Sequence, residues 1–165
     1  MRNIYDCVDA FFPLLDTEYE IILGRKDVST ALNIGFDKRD CYHLMGLQYL
    51  VDRPELNRDR GKILPLLEEL LDNNETVFKY NQKANCFSMI QANYLMKNHI
   101  EGRNLFLFLS LNKDNKYFCR SFFPQDQKDY TQNQASWTLL YKKKKYISTG
   151  KEVILYNHLK NDNSF

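Results

Sequence analysis

The run Leu105-Phe-Leu-Phe-Leu109 constrains this chain more than any other stretch. It is the longest apolar run, yet far shorter than the ~20 residues that cross a bilayer as a helix. A short apolar run bounded by turn residues is the pattern of a buried strand. The strand is expected over Leu105–Leu111. Lys113-Asp114-Asn115-Lys116 follows with turn chemistry, and Tyr117–Phe123 returns as the partner strand. Trp137–Tyr141 and Glu152–Tyr156 read as two more strands, joined through a lysine-rich segment that turns at Thr149-Gly150. The last third is therefore an antiparallel meander, with Gln125–Gln134 as a polar loop within it.

The first half has a different period. Ile4, Cys7, Val8, Phe11 and Phe12 share one helical face. Residues 18–24 read as a short strand closed by glycine, and 29–36 as a second strand antiparallel to it. Asp37 has the residue type of a helix N-cap, with Asp40 three positions on to complement the positive helix start. That helix is expected to run to Leu50 and to end at Asp52-Arg53-Pro54. Ile63, Leu64, Leu66, Leu67, Leu70 and Leu71 form the apolar stripe of a further helix over 60–73. Phe87, Ile90, Tyr94 and Leu95 suggest helix within 76–101. The expected fold class is α+β: an antiparallel sheet with helices 37–50 and 60–73 packed on one face. Residues 1–160 read as a single domain and 161–165 as a polar tail.

Composition narrows the class of protein. Eleven Tyr and eleven Phe among 165 residues exclude a disordered chain. Twenty-three basic against 21 acidic residues leave a net charge of +2, so any electrostatic site must be a local patch. Cysteines stand at 7, 41, 86 and 119, with no C-x-x-C pair, which reads as four free thiols in a reducing compartment. His43, His99 and His158 are not spaced with them as zinc ligands. The N-terminal residues lack the pattern of a signal peptide, so the expectation is a cytoplasmic protein that does not enter a membrane. There is no P-loop, G-x-G-x-x-G, H-E-x-x-H or G-x-S-x-G, and no cofactor or metal site is expected.

Two constellations could carry chemistry. On the helix that Asp37 starts, His43 shares a face with Leu47 and Leu50. It is either a core histidine bonded to a backbone carbonyl or a group that transfers protons near neutral pH. The second is basic and aromatic: Arg120-Ser121-Phe122-Phe123, and Ser136-Trp137-Thr138-Leu139-Leu140-Tyr141 followed by Lys142, Lys143, Lys144 and Lys145. Lysines flanked by aromatics suit phosphate contact with base stacking. They equally suit a solvated hairpin edge, where lysines block strand pairing.

Ile22-Leu23-Gly24-Arg25-Lys26, then Leu32-Asn33-Ile34, then Phe36-Asp37-Lys38 with His43-Leu44-Met45-Gly46-Leu47-Gln48-Tyr49-Leu50, resembles the fourth subfamily of the phage-associated barnase–EndoU–colicin–RelE-like nucleases. The resemblance implies a barnase/RelE-like domain and a small metal-independent endoribonuclease of a phage or mobile element, a toxin or effector. Such an enzyme uses the 2′-hydroxyl of RNA as nucleophile. His43 matches the helix histidine and Lys38 the basic residue before it. Arg120, Ser121 and Ser136 match by strand position. Arg25, Arg39, Trp137, Tyr141 and Lys142 to Lys145 are the expected RNA contacts. The alternative is an inactive nuclease fold that binds RNA or a host defence protein as an anti-defence factor. An antitoxin is a further expected type of partner.

Overall fold

The computed structural model describes residues 13–37, 39, 44, 64–74, 76–84 and 90–159. Among the described residues are eight strands: β1 (Thr17–Arg25), β2 (Val28–Ile34), β3 (Thr76–Lys79), β4 (Tyr94–Ile100), β5 (Arg103–Leu111), β6 (Tyr117–Pro124), β7 (Ala135–Tyr146) and β8 (Glu152–Asn157). A 3₁₀ turn at Leu64–Leu66 leads into one short helix, α1 (Leu67–Asn73).

The strands do not form an open sheet beneath a layer of helices. They are hydrogen-bonded in the order β1-β2-β6-β5-β4-β3-β7-β8, and β1 pairs also with β7. Seven strands thus close into a barrel, with β8 added outside β7. This overturns the expected α+β arrangement. Sequence periodicity reports which face of a strand is apolar, but not that both edges of β1 find partners. Full closure removes sheet edges. The seam between β2 and β6 is the thinnest: a parallel pairing of Ile34 with Tyr117, supported by Gly35 N–H donating to Tyr117 O at 3.0 Å.

The early strand pair and the four C-terminal strands fall where the sequence places them, but the expected meander is broken, because β6 pairs with β5 and β2 and not with β7. Helix is also present over the described part of 60–73. The expected helix within 76–101 is not: β3 and β4 occupy it. Tyr94, Met96 and Ile100 turn into the main core while Leu95 turns outward. Pairing with β5 along the whole of β4 decides this, since strand preference depends on neighbours more than on intrinsic propensity. Most of the helices expected over 4–15 and 37–50, the polar tail, and Cys7, Cys41 and Cys86 lie outside the described residues. Cys119 is buried in the main core.

The run Leu105–Leu109 lacks polar interruptions because both its faces are covered. Leu105, Leu107 and Leu109 join the main core with Tyr19, Ile21, Leu23, Leu32 and Ile34. Phe106 and Phe108 face outward into a second cluster with Tyr80 and Leu95. The polar loop 125–134 covers that cluster by one side chain. The Tyr130 ring lies 5.5 Å from each of Phe106, Phe108 and Phe123. Glu101 and Gly102, at φ 53° and 79°, form the two-residue turn between β4 and β5. Successive positive φ values are what the right-handed twist of a hairpin favours.

The lysine run of β7 is not an edge, because β7 pairs with β1, β3 and β8. Strand alternation sends Lys142 and Lys144 inward, at 1% and 4% exposure. Lys142 Nζ donates to Leu71 O at 2.6 Å and Asn74 O at 2.7 Å. These are carbonyls at the C-terminal end of α1, where a cation meets the negative end of the helix. Lys144 Nζ lies 2.9 Å from Glu68 Oε2 and 3.2 Å from both Asp72 carboxylate oxygens. Burial alone would lower the Lys144 pKa. The Glu68 and Asp72 carboxylates outweigh it and raise the pKa above the ordinary lysine value. Tyr19 Oη donates to Asp72 in turn, and burial together with that carboxylate pushes the phenol well above its usual range. Leu67, Leu70 and Leu71 of α1 complete the main core.

Lys142→Ala would leave two buried carbonyls without their donor and a cavity beneath the helix. The expected cost is about 2–4 kcal/mol. For a chain of this size that is a fall in Tm of about 5–15 °C. Lys145→Ala, at an exposed position of the same strand, should stay within about 0.5 kcal/mol of the wild type. Equal shifts in thermal unfolding of the two variants would refute the clamp.

Asp129 anchors the Tyr130 loop. Burial alone would raise its pKa. The Thr131 hydroxyl and N–H, together with the Lys97 ammonium 3.1 Å away, win and lower it. The anchor is therefore complete above the ordinary carboxylate pKa of about 4 and is lost as pH falls through the lower folded value. Amide exchange at Thr131 should accelerate in that acid window in the wild type. Asp129→Asn should exchange fast at pH 7 and lose the acid step. An unchanged acid step in the variant would assign it to another group.

Candidate active site

At one end of the barrel the start of β1, the end of β2 and the turn between β5 and β6 surround a pocket of about 570 Å³. Thr17 and Glu18 come from β1, and Gly35, Phe36, Asp37 and Arg39 from the segment after β2. Asn112, Asp114 and Lys116 belong to the β5–β6 turn, Phe118 and Arg120 to β6, and Ile147 to the turn after β7. The β5–β6 turn is fixed by Asn112, whose Oδ1 accepts from the N–H groups of Asp114 at 2.9 Å and Lys116 at 3.0 Å. Asn115 closes it at φ 66°, a left-handed conformation that Asn tolerates better than most residues.

Arg120 owes its position to a β-bulge. Leu109 pairs with Cys119 and Phe108 with Ser121, so Arg120 has no residue opposite it on β5. Bulges re-aim side chains and are common beside functional sites. Here the extra residue lets Cys119 and Phe122 both face the core, three positions apart, while Arg120 lines the pocket.

The pocket carries three cations, Arg39, Lys116 and Arg120, against three carboxylates, Glu18, Asp37 and Asp114. Two of the cations are neutralised locally. Lys116 Nζ is 3.1 Å from Glu18 Oε1, and Arg39 Nε is 3.4 Å from Asp37 Oδ1. Asp37 also accepts from the Arg39 backbone N–H at 2.8 Å, as an N-cap residue does, and this bond leads in holding its carboxyl below the usual range. The Arg120 guanidinium makes no hydrogen bond or ion pair with any of the described residues. It is therefore the pocket cation left for an anionic ligand.

A second groove of about 420 Å³ shares Glu18, Asp114 and Lys116 with the first and adds Glu20, Lys143, Lys145 and Glu152. Lys143 Nζ lies 3.5 Å from Glu152 Oε1. The four lysines thus divide by face. Lys142 and Lys144 hold α1, while Lys143 and Lys145 border the groove beside the pocket.

The other expected site residues are dispersed. Lys38 and His43 lie outside the described residues. Ser121 and Ser136 face outward at the two ends of one row, Ser121–Phe108–Leu95–Phe78–Ser136. Four strand spacings separate them along the sheet, roughly 19 Å, and neither lines the pocket. Arg25 ends β1 eight residues from Thr17, roughly 26 Å along an extended strand. Trp137 packs against the main core from β7, and its buried Nε1 has no partner among the described residues. Tyr141 pairs with Ile22 and Asn157 on the outer face. His99 Nδ1 is 2.9 Å from Asn104 Oδ1, and the His158 ring stacks on Tyr156. Among the described residues no group of three His, Cys, Asp or Glu could hold a metal ion, and no helix is long and apolar enough to cross a membrane. Lys116, Asp114 and Phe118 were not legible as site residues. The first two read only as a turn, and Phe118 only as one aromatic of a strand.

Residues 54–159 match the family described as phage-Barnase-EndoU-ColicinE5/D-RelE like nuclease4. Among curated proteins and among solved structures, none matches this chain. The matched region includes Arg120, Ser121, Ser136 and the lysines of β7. It begins after the segment 22–50 that carries the resemblance, so Lys38 and His43 stand outside it. It spans well over half of the chain, and a phage-associated nuclease-like domain is what it describes. The chain belongs to the phage-Barnase-EndoU-ColicinE5/D-RelE like nuclease4 family.

Proposed function

We propose that the Arg120 pocket is the active site of a metal-independent endoribonuclease, an effector of a phage or mobile element. The observation that carries this reading is a guanidinium set by a bulge into a pocket and left without an ion-pair partner among the described residues, in a chain of a nuclease family. A base takes the proton of the substrate's 2′-hydroxyl. The 2′-oxygen attacks the adjacent phosphorus, and the P–O5′ bond breaks. An acid returns a proton to the departing 5′-oxygen, leaving a 2′,3′-cyclic phosphate and a 5′-hydroxyl. Arg120 offsets the charge that gathers on the non-bridging oxygens. His43, whose ordinary pKa is near neutrality, is the proposed proton carrier, with Lys38 as a second cation. Their segment continues from Asp37 and Arg39 in the pocket wall. Lys143 and Lys145 offer phosphate contacts along the adjacent groove.

Purified protein should cleave labelled RNA in the presence of EDTA and yield 2′,3′-cyclic phosphate ends. Arg120→Ala should lower the rate by about 10²–10³-fold, the cost of losing one preorganised donor. Its melting temperature should hardly change, because no described partner is lost. The Lys143→Gln, Lys145→Gln double variant should flatten the salt dependence of RNA binding without unfolding the protein. Cleavage that vanishes with EDTA and returns with magnesium would overturn the metal-independent mechanism. A folded wild type that binds RNA without cutting it would mark an inactive nuclease fold retained for binding.

A further inference from the structure

Among the described residues, Phe118 is an aromatic residue that neither apolar cluster uses. It is half-buried on β6, yet it belongs to neither the main core nor the outer cluster. Its neighbours Tyr117 and Phe123 on the same strand pack against one core or the other. Its ring meets no other ring among the described residues, whereas Tyr117 contacts Tyr94 and Phe123 contacts Phe106, Phe108 and Tyr130. A phenylalanine ring stabilises a fold by the apolar area it removes from water against other side chains. Phe118 instead lines the pocket, two residues from Arg120, with the half-exposed Ile147 also in the lining.

An aromatic face in one pocket with a guanidinium that pairs with no described residue is the combination that takes a nucleobase and its phosphate together. A volume of about 570 Å³ suits a ligand of nucleotide size. We infer that Phe118 is a base-stacking subsite, so that the pocket admits one unpaired nucleotide of a single strand, its base on Phe118 and its phosphate at Arg120. This deepens, and rests on, the reading of the pocket as a nucleic-acid site. A base within a duplex keeps both faces stacked and cannot use the platform. Selection for single-stranded substrate then follows from Phe118, while Arg120 and the groove lysines supply attraction without regard to base.

The test uses the full chain and a labelled single-stranded 2′-O-methyl oligonucleotide, which binds but has no free 2′-hydroxyl for self-cleavage. Its abasic counterpart has the same phosphates and no bases. Wild type should bind the base-bearing strand roughly tenfold or more tightly than the abasic one, within the range for one stacked base. Phe118→Leu should abolish that preference while leaving abasic binding unchanged. Phe118→Trp should keep it and report the stacked base by fluorescence quenching. Thermal unfolding of Phe118→Leu should match the wild type, since the ring supports neither core. Equal binding of the two strands by wild type, or a preference that survives Phe118→Leu, would overturn the stacking subsite and leave a phosphate site alone. If neither strand binds, the nucleic-acid reading of the pocket falls with it. A Phe118→Leu variant that unfolds would place the ring in the packing and overturn the inference, unless Phe118→Trp folds and its fluorescence is quenched by the base-bearing strand alone.

Discussion

Two buried ammonium groups hold the one fully described helix to the barrel. Lys142 supplies donors to Leu71 O and Asn74 O, and Lys144 forms ion pairs with both Glu68 and Asp72. A seven-residue helix is too short to be stable by its own backbone bonds. Its leucines give it apolar area to bury, and the lysines give its carbonyls and carboxylates partners once water is excluded. Asn74 adds a bond from its Nδ2 to Lys97 O on β4, so the end of the helix is tied to both sides of β3. A buried charge is costly unless it is hydrogen-bonded, which makes this arrangement dependent on all its members at once.

The barrel is the second constraint. Its closure through β1 and β7 involves eight residue pairs, whereas its closure through β2 and β6 involves one parallel pair. The pocket lies beside that thin seam. There the strands diverge, and the segment after β2 and the β5–β6 turn supply the walls. The bulge at Arg120 serves fold and site together. It turns Cys119 and Phe122 to the core on a strand that would otherwise alternate strictly, and it presents the extra residue to the pocket.

Much of the strand inventory was legible because period-two alternation and turn chemistry are local. The hairpin 105–123 is the clearest case. Its apolar run, its Lys-Asp-Asn-Lys turn and its returning aromatics lie within nineteen positions, so one stretch of sequence contains both strands and their connection. The segment 76–101 was misread because Phe87, Ile90, Tyr94 and Leu95 happen to fall at helical spacing. Pairing of β4 with β5 along seven residues overrode that local pattern. Arg120 was legible as a basic residue on a strand, but Phe118 and Lys116 were not legible as its companions. Companionship in a pocket depends on which barrel end a strand reaches, and no spacing in the sequence encodes that.

The lysine run marks the division most sharply. By itself the sequence placed four consecutive cations after a strand ending at Tyr141, in the segment leading to the next; that β7 runs on through them to Tyr146, so that they alternate between two faces, was a tertiary outcome. The sequence also determined the turns, the aromatic content that must be buried, and the family to which the chain belongs. Only the tertiary structure decided which lysines face inward, since that depends on Ile21 and Tyr19 of a distant strand setting the register. It alone decided that the sheet closes and that Arg120 and Phe118 share a pocket. Closure and register are long-range choices, fixed by the hydrogen-bonding edges and apolar faces of segments more than a hundred residues apart.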